Sequence, residues 1–137
     1  MATDASMRSK GIGSFLIDST IEYPNDNLTI NNLIIEVDST LEVNAKDIDI
    51  RKRKHEFYAK HGAKKIVGFK HILPFDGASY YPQMKIQMIS NLYMDKLPIG
   101  TLRKWIESIY DVAYNEPASH KSIEKMFSNT NKTFLLS

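Results

Sequence analysis

Hydrophobic residues recur every three or four positions in residues 102–113, which is the spacing of one face of an α-helix. This stripe consists of Leu102, Trp105, Ile106, Ile109, Tyr110 and Ala113. The run "LIIEVD" at residues 33–38 is instead short and rich in branched side chains, as in a buried strand. Because helical and strand patterns alternate along the chain, we expect an α/β fold with elements in the order α-β-α-β-β-α-α.

The remaining elements are predicted from the same two patterns. Further helices are expected at residues 12–23, 47–61 and 119–127, and further strands at residues 64–73 and 81–90. Residues 134–137 fit either a strand or a frayed end. The helix at residues 47–61 is expected to have an inward side formed by Ile50, Lys54, Phe57, Tyr58 and His61.

The composition excludes several classes of function. The 137 residues include no cysteine, which rules out disulfides, thiolate catalysis and cysteine-based metal sites. The four histidines, His55, His61, His71 and His120, lack metal-ligand spacing and are expected at the surface. There is no apolar signal-peptide core and no run approaching the ~20 apolar residues of a membrane span. We therefore expect a single cytoplasmic domain, residues 1–137, without a membrane partner.

Positive charge is concentrated in one segment of the chain. Residues 51–65 contain seven basic residues and one acidic residue, although the formal net charge of the whole chain is only +2. Such a patch can attract an anion, either a nucleotide phosphate or a nucleic acid. No known nucleic-acid-binding motif accompanies it, so nucleic acid is the least favoured partner.

The stretch "RSKGIG" at residues 8–13 has the composition of a phosphate-binding turn that opens a helix. Glycines allow close approach of backbone N–H groups, and the start of a helix attracts anions. The alternative is that these glycines only mark the start of a helix and bind no nucleotide. The dinucleotide fingerprint is excluded, because Leu16 occupies its third glycine position, and no nucleotide P-loop sequence occurs.

A second candidate lies in "RKRKHEFYAKHG" at residues 51–62. Tyr58 lies on a basic helix, and a tyrosine hydroxyl facing a cleft can donate a proton to a leaving group. The alternative is that Tyr58 and Phe57 are packed core aromatics and that the basic residues form a solvated face.

Taken in order, these features resemble the second half of a GNAT acyl-CoA N-acyltransferase. The order is R-x-x-G-x-G and a helix, the strand LIIEVD, a basic helix ending F-Y-x-x-x-G, a strand, a proline-rich turn, and the strand Y-P-x-M-x-I. The resemblance covers residues 8–91, and the helix at residues 97–114 looks like a C-terminal extension of some bacterial members.

The resemblance implies an acetyl-CoA-dependent N-acetyltransferase that transfers an acetyl group to an amine of an unknown acceptor. Tyr58 would be the general acid that protonates the departing CoA thiolate. Residues implied in binding the CoA pyrophosphate and nucleotide end are Arg8, the backbone of Gly11, Ile12, Gly13 and Ser14, and the side chains of Arg53 and Lys54.

One departure from the family pattern changes the expectation. In the family a long central strand leads into the phosphate turn, and three more strands and two helices precede that strand, whereas seven residues precede Arg8 here. We therefore expect a truncated GNAT-like fold: a short mixed sheet of about three strands, flanking helices and a C-terminal helical extension. Residues 8–91 would be the acetyl-CoA-binding half, and residues 97–127 would hold the C-terminal helices.

The truncation also leaves a second function open. A sheet that lacks its neighbouring strands exposes an edge at residues 33–38, and such edges pair with other chains. The alternative is therefore a non-catalytic remnant that binds a second copy or a complementing chain through this edge.

Overall fold

The computed structural model describes residues 6, 9–22, 31–42, 44–75, 83–128 and 132–137. The elements are α1 (Ile12–Glu22), β1 (Asn32–Asp38), α2 (Ile48–Lys60), β2 (Lys64–Lys65), β3 (Met84–Ser90), β4 (Lys96–Pro98), α3 (Ile99–Tyr114), α4 (Lys121–Met126) and β5 (Thr133–Leu135). The α/β class is confirmed, and so are all four predicted helices. Arg8 lies outside the described residues, as does the predicted end of the first helix at Tyr23.

Three strands form the main sheet, in the order β1-β3-β2. β1 pairs with β3 along its whole length, from Asn32 opposite Ser90 to Asp38 opposite Met84. Both pairings of β3 are antiparallel. The prediction of a mixed sheet is therefore wrong, because β3 lies between the other two strands and runs opposite to each.

The predicted strand at residues 64–73 is much shorter in the structure. Only Lys64 and Lys65 pair continuously with β3, and beyond them Ile66 bridges Leu136 instead. Leu136 lies next to β5, which pairs with β4 in a second, two-stranded sheet. The end of the chain thus forms a strand. Ile66 pairs with this end of the chain and not with the main sheet.

The core lies between the sheets and α3. Leu102, Ile106 and Tyr110 of the predicted stripe are fully buried, and they join a cluster that includes Met88 of β3 and Phe134 of β5. Complete burial of an aliphatic or aromatic side chain of this size stabilises the fold by about 1.5–3 kcal/mol. This cluster contains residues of both sheets and so holds α3 against them.

The inward side of α2 differs in part from the prediction: Phe57, Tyr58 and His61 are half-buried, whereas Ile50 and Lys54 are exposed and Arg51 is buried. Arg51 is 6% exposed, whereas Ile50 is 52% exposed. Arg51 Nη1 donates to Glu42 Oε2 at 2.9 Å and to the Ser39 carbonyl at 3.1 Å, and Arg51 Nε lies 3.0 Å from Asp47 Oδ1. The carboxylates of Asp47 and Glu42 raise the pKa of Arg51 above its ordinary value. Because these partners compensate the desolvation of the guanidinium, Arg51 can occupy the inner face.

Candidate functional site

The predicted phosphate turn leads directly into α1. Ser9 and Gly11 both have left-handed backbone angles, with φ of 62° and 77°. Phe15 N–H donates to the Gly11 carbonyl at 3.0 Å, so the helical hydrogen bonds begin there. The N–H groups of Ile12, Gly13 and Ser14 precede this bond and have no acceptor within the helix. They form the positive end of α1, where an anion can bind.

His61 connects the start of α1 to the end of α2. Its Nε2 lies 3.1 Å from Ser14 Oγ, and its Nδ1 lies 3.0 Å from Asp18 Oδ1. His61 is the C-terminal cap residue of α2, three residues after Tyr58, and Gly62 follows with a left-handed φ of 83°. His61 thus contacts the first turn of α1 from the end of the helix that contains Tyr58.

A cleft of about 390 Å³ follows the edge of β1 that β3 does not occupy. Its lining is Leu16, Ile17, Thr20, Leu33, Ile34, Ile35, Glu36 and Tyr58. Four consecutive residues of β1 take part, and successive side chains point to opposite faces of a strand, so the cleft runs along the strand edge. α1 and Tyr58 provide the facing wall.

Tyr58 also makes the aromatic contacts that the alternative interpretation predicts. Its ring centroid lies 5.4 Å from that of Phe57, in an edge-to-face arrangement, and Phe57 in turn contacts His61 at 4.9 Å. Both tyrosine and phenylalanine are half-buried. Tyr58 therefore packs on Phe57 and lines the cleft at the same time.

Glu36 is a cleft residue that the sequence patterns did not single out. It accepts hydrogen bonds from His71 Nε2 at 2.8 Å and from the Tyr114 hydroxyl at 2.5 Å. Burial by itself would raise the pKa of Glu36, but the hydrogen bonds from His71 and Tyr114 outweigh burial and lower it. The only available signal was a carboxylate inside the otherwise apolar run of residues 33–37.

The expectation that the histidines lie at the surface is wrong for His71. Its side chain is fully buried, and its Nδ1 has no hydrogen-bond partner in the part of the chain that the structure describes. Burial of the imidazole is compensated by Glu36, because a buried polar ring needs at least one strong partner. His71 thus holds the carboxylate of Glu36 in place by a hydrogen bond.

Arg53 and Lys54 do not line the cleft. Arg53 is exposed and donates from Nε to the Asp49 carbonyl of its own helix at 3.3 Å. Lys54 is also exposed, and its Nζ lies 3.3 Å from Asp38 Oδ2 at the end of β1. The structure therefore brings Tyr58 next to α1 but leaves these two cations on the outward side of α2.

The described ranges hold neither a metal cluster nor a membrane-spanning helix. They contain no cluster of three or more histidine or acidic side chains able to hold a metal ion. No helix in those ranges has the length and apolar character needed to cross a membrane.

The chain matches no protein-family model, no curated protein and no solved structure. The GNAT resemblance of residues 8–91 therefore stays a prediction from sequence. The structural observations that bear on function are the turn at Ser9–Gly11, the His61 link between α1 and α2, and the cleft along β1.

Proposed function

We propose that this chain binds acetyl-CoA and acts as a GNAT-type N-acetyltransferase on an amine acceptor. The observation that carries the proposal is the His61 link, which holds the start of α1 beside the helix turn that contains Tyr58. An anion-binding helix start next to a tyrosine in a cleft is the pair of features that this reaction requires.

In the proposed complex, the CoA pyrophosphate binds the N–H groups of Ile12, Gly13 and Ser14. The left-handed angles at Ser9 and Gly11 support this role, since such a turn brings backbone N–H groups toward one point. Arg8 would add a bidentate phosphate contact. The arm of coenzyme A contains amides, which can pair with the backbone groups at the free edge of β1.

The chemical step is direct attack of the acceptor amine on the acetyl carbonyl carbon. A C–N bond forms, the C–S bond breaks, Tyr58 gives its hydroxyl proton to the sulfur, and the amine proton passes to solvent. Holding both substrates in one complex supplies much of the rate by proximity. Glu36 places a negative charge in the same cleft, which favours a cationic acceptor over an anionic one.

The binding half of the proposal is tested by thermal melting with saturating acetyl-CoA, because a ligand that binds only the folded chain raises the midpoint. Gly11→Ala should remove the shift, since alanine is strained at a φ of 77°. Gly68→Ala is the matched control: its φ is 79°, it likewise has open space around it, and it lies outside the phosphate turn.

A dose-dependent shift that survives in Gly68→Ala and vanishes in Gly11→Ala supports the binding site. Absence of a shift in the unsubstituted chain contradicts the proposal. An equal shift in Gly11→Ala and Gly68→Ala would place the ligand elsewhere. Arg8→Ala should also weaken binding, and intact binding would remove the assigned role of Arg8.

A second candidate function rests on the free edge of β1. Within the described ranges no strand pairs with that edge, and the adjoining face of α1 exposes Phe15 and Leu16. An unpaired edge beside apolar side chains favours pairing with a strand of another copy. Light scattering coupled to size-exclusion chromatography tests this: a dimer that Ile35→Lys converts to monomer supports it, and a monomer at all concentrations contradicts it.

A further inference from the structure

The pairing between β3 and the segment after β2 is interrupted. Lys65 lies opposite Gln87, and pairing resumes only where His71 bridges Met84. The five residues 66–70 therefore stand opposite only two residues of β3, at positions 85 and 86. The excess chain bulges outward through a turn at Gly68, whose φ is 79°. The bulge leaves an opening at this edge of β3.

A cavity of about 420 Å³ lies at this opening. We call it the lysine cavity, because Lys65, Lys70 and Lys85 line it together with Gln87 and His55. Its described lining contains no aspartate or glutamate, and none of the three lysines forms an ion pair with a described acidic side chain. Ser137 lies at the same place, and even a carboxylate on that residue would leave the cavity positive.

Gln87 supplies a buried acceptor at this cavity. The Asp38 carbonyl can only accept, so His55 Nε2, 2.7 Å away, carries a hydrogen. In the neutral ring Nδ1 then accepts from Gln87 Nε2 at 2.9 Å. This arrangement commits the nitrogen of the amide to His55, and Gln87 Oε1 has no partner among the described residues although Gln87 is only 2% exposed. A buried oxygen without a donor is unfavourable, and a ligand hydroxyl would relieve that cost.

We propose that the lysine cavity binds a phosphate monoester that carries hydroxyl groups, of the size of a sugar phosphate. Three uncompensated lysines favour a multiply charged oxyanion, since lysine binds phosphate as a point charge. The oxygen of Gln87 requires a donor, which the dianionic phosphoryl group of a monoester lacks and a sugar hydroxyl supplies. The volume falls within the range of about 300–1,000 Å³ that is typical of small-molecule sites.

The lysine cavity is separate from the cleft proposed for acetyl-CoA. The cleft is lined by residues 33–36 of β1, whereas the cavity is lined by residues 85–87 of β3, residues 65–70 after the start of β2 and residues 39–41 after β1. The two linings share no residue. The proposed phosphate-monoester site therefore does not depend on the proposed acetyltransferase function.

Calorimetric titration of the whole chain tests the proposal with three probes: ribose 5-phosphate, inorganic phosphate and ribose. We expect ribose 5-phosphate to bind more tightly than inorganic phosphate, and ribose to give no measurable binding. Lys70→Met and Lys85→Met should each weaken ribose 5-phosphate by about tenfold, as expected for loss of one charged contact. Lys60→Met is the matched control, since Lys60 is an exposed lysine outside the cavity.

Lys70 is exposed, whereas Lys85 is half-buried, so the Lys70 variant should fold normally even if Lys85→Met does not. Absence of ribose 5-phosphate binding overturns the proposal, and so does equal weakening by Lys60→Met and Lys70→Met. Equal affinity for ribose 5-phosphate and inorganic phosphate would overturn the role of Gln87. A titration in saturating acetyl-CoA should give unchanged ribose 5-phosphate affinity, whereas displacement would contradict a separate site.

Discussion

His61 Nε2 lies 3.1 Å from Ser14 Oγ, which joins the end of α2 to the first turn of α1 although 47 positions separate the two residues. The same imidazole contacts Asp18 one turn later in α1. One side chain of α2 thus contacts two successive turns of α1 at the candidate site.

We expect His61→Ala to lower the free energy of unfolding by about 1–2 kcal/mol, because two hydrogen bonds are lost at a half-buried position. It should also weaken acetyl-CoA binding, since α1 and Tyr58 would lose their connection. Denaturant unfolding and calorimetry measure the two effects. Lys60→Ala, at the neighbouring exposed position, should change neither quantity. Unchanged unfolding of His61→Ala would show that other contacts hold α1 in place.

If Tyr58 protonates the departing thiolate, Tyr58→Phe should lower kcat by about 10²–10⁴-fold and leave acetyl-CoA affinity nearly unchanged. The phenyl ring keeps the contact with Phe57, so the fold should be retained. Steady-state turnover with an amine acceptor is the measurement. Tyr93→Phe is the control, because Tyr93 is 94% exposed and does not line the cleft. Equal turnover of Tyr58→Phe and the unsubstituted chain would remove the acid role.

The lowered pKa of Glu36 predicts a loss of stability in acid. Because the folded pKa lies below the unfolded value of about 4.3, the stabilisation is complete above that value. It is lost as pH falls through the folded pKa. The free energy of unfolding should therefore decline as pH falls below about 4.3. The decline should be shallower in Glu36→Gln, which we also expect to be about 1–3 kcal/mol less stable at pH 7.

Glu56→Gln, at an exposed position of α2, should keep the steep acid decline of the unsubstituted chain. Denaturant titrations between pH 3 and 7 compare the three proteins. Parallel pH curves for Glu36→Gln and the unsubstituted chain would contradict the assigned cause.

Tyr110 predicts a corresponding loss of stability in base. Its hydroxyl donates to the Ile72 carbonyl at 2.5 Å, and burial raises the pKa of Tyr110 to about 12. Since the folded pKa lies above the unfolded value of about 10, the stabilisation is present below pH 10 and is lost as pH rises through 12. Tyr110→Phe should cost about 1–3 kcal/mol at pH 8, because the Ile72 carbonyl loses its donor.

Tyr110→Phe should also be less sensitive to a change from pH 9 to pH 11 than the unsubstituted chain. Tyr93→Phe should show neither effect, since Tyr93 is almost fully exposed. Denaturant unfolding at the two pH values provides the comparison. A pH response of Tyr110→Phe as large as that of the unsubstituted chain would assign the effect to other groups.

Local sequence patterns predicted the elements that have long, regular periodicity. α3 carries its stripe over four turns, and Leu102, Ile106 and Tyr110 are buried as expected. The strands β4 and β5 were missed as a pair, because each has three residues and too few positions to show a period. Their pairing depends on a contact between Leu97 and Phe134, which are far apart in the sequence.

The candidate site also contains some residues that the sequence predicts and others that it does not. Glycine and serine at the start of α1 and Tyr58 on α2 are recognisable from residue type and spacing. The carboxylate of Glu36 is not, because its role depends on His71 and Tyr114, which reach it from other parts of the chain. Lys70, Lys85 and Gln87 likewise meet only because the segment after β2 leaves the sheet.

The amino-acid sequence by itself determined the α/β class, the four helices and the place of β1, since these depend on hydrophobic period and turn residues within one segment. Only the tertiary structure decided the antiparallel order β1-β3-β2, the inward burial of Arg51, and the two cavities. The physical reason is that strand pairing and the compensation of a buried charge are free-energy terms between distant segments. Such terms leave no periodic signal in either segment alone.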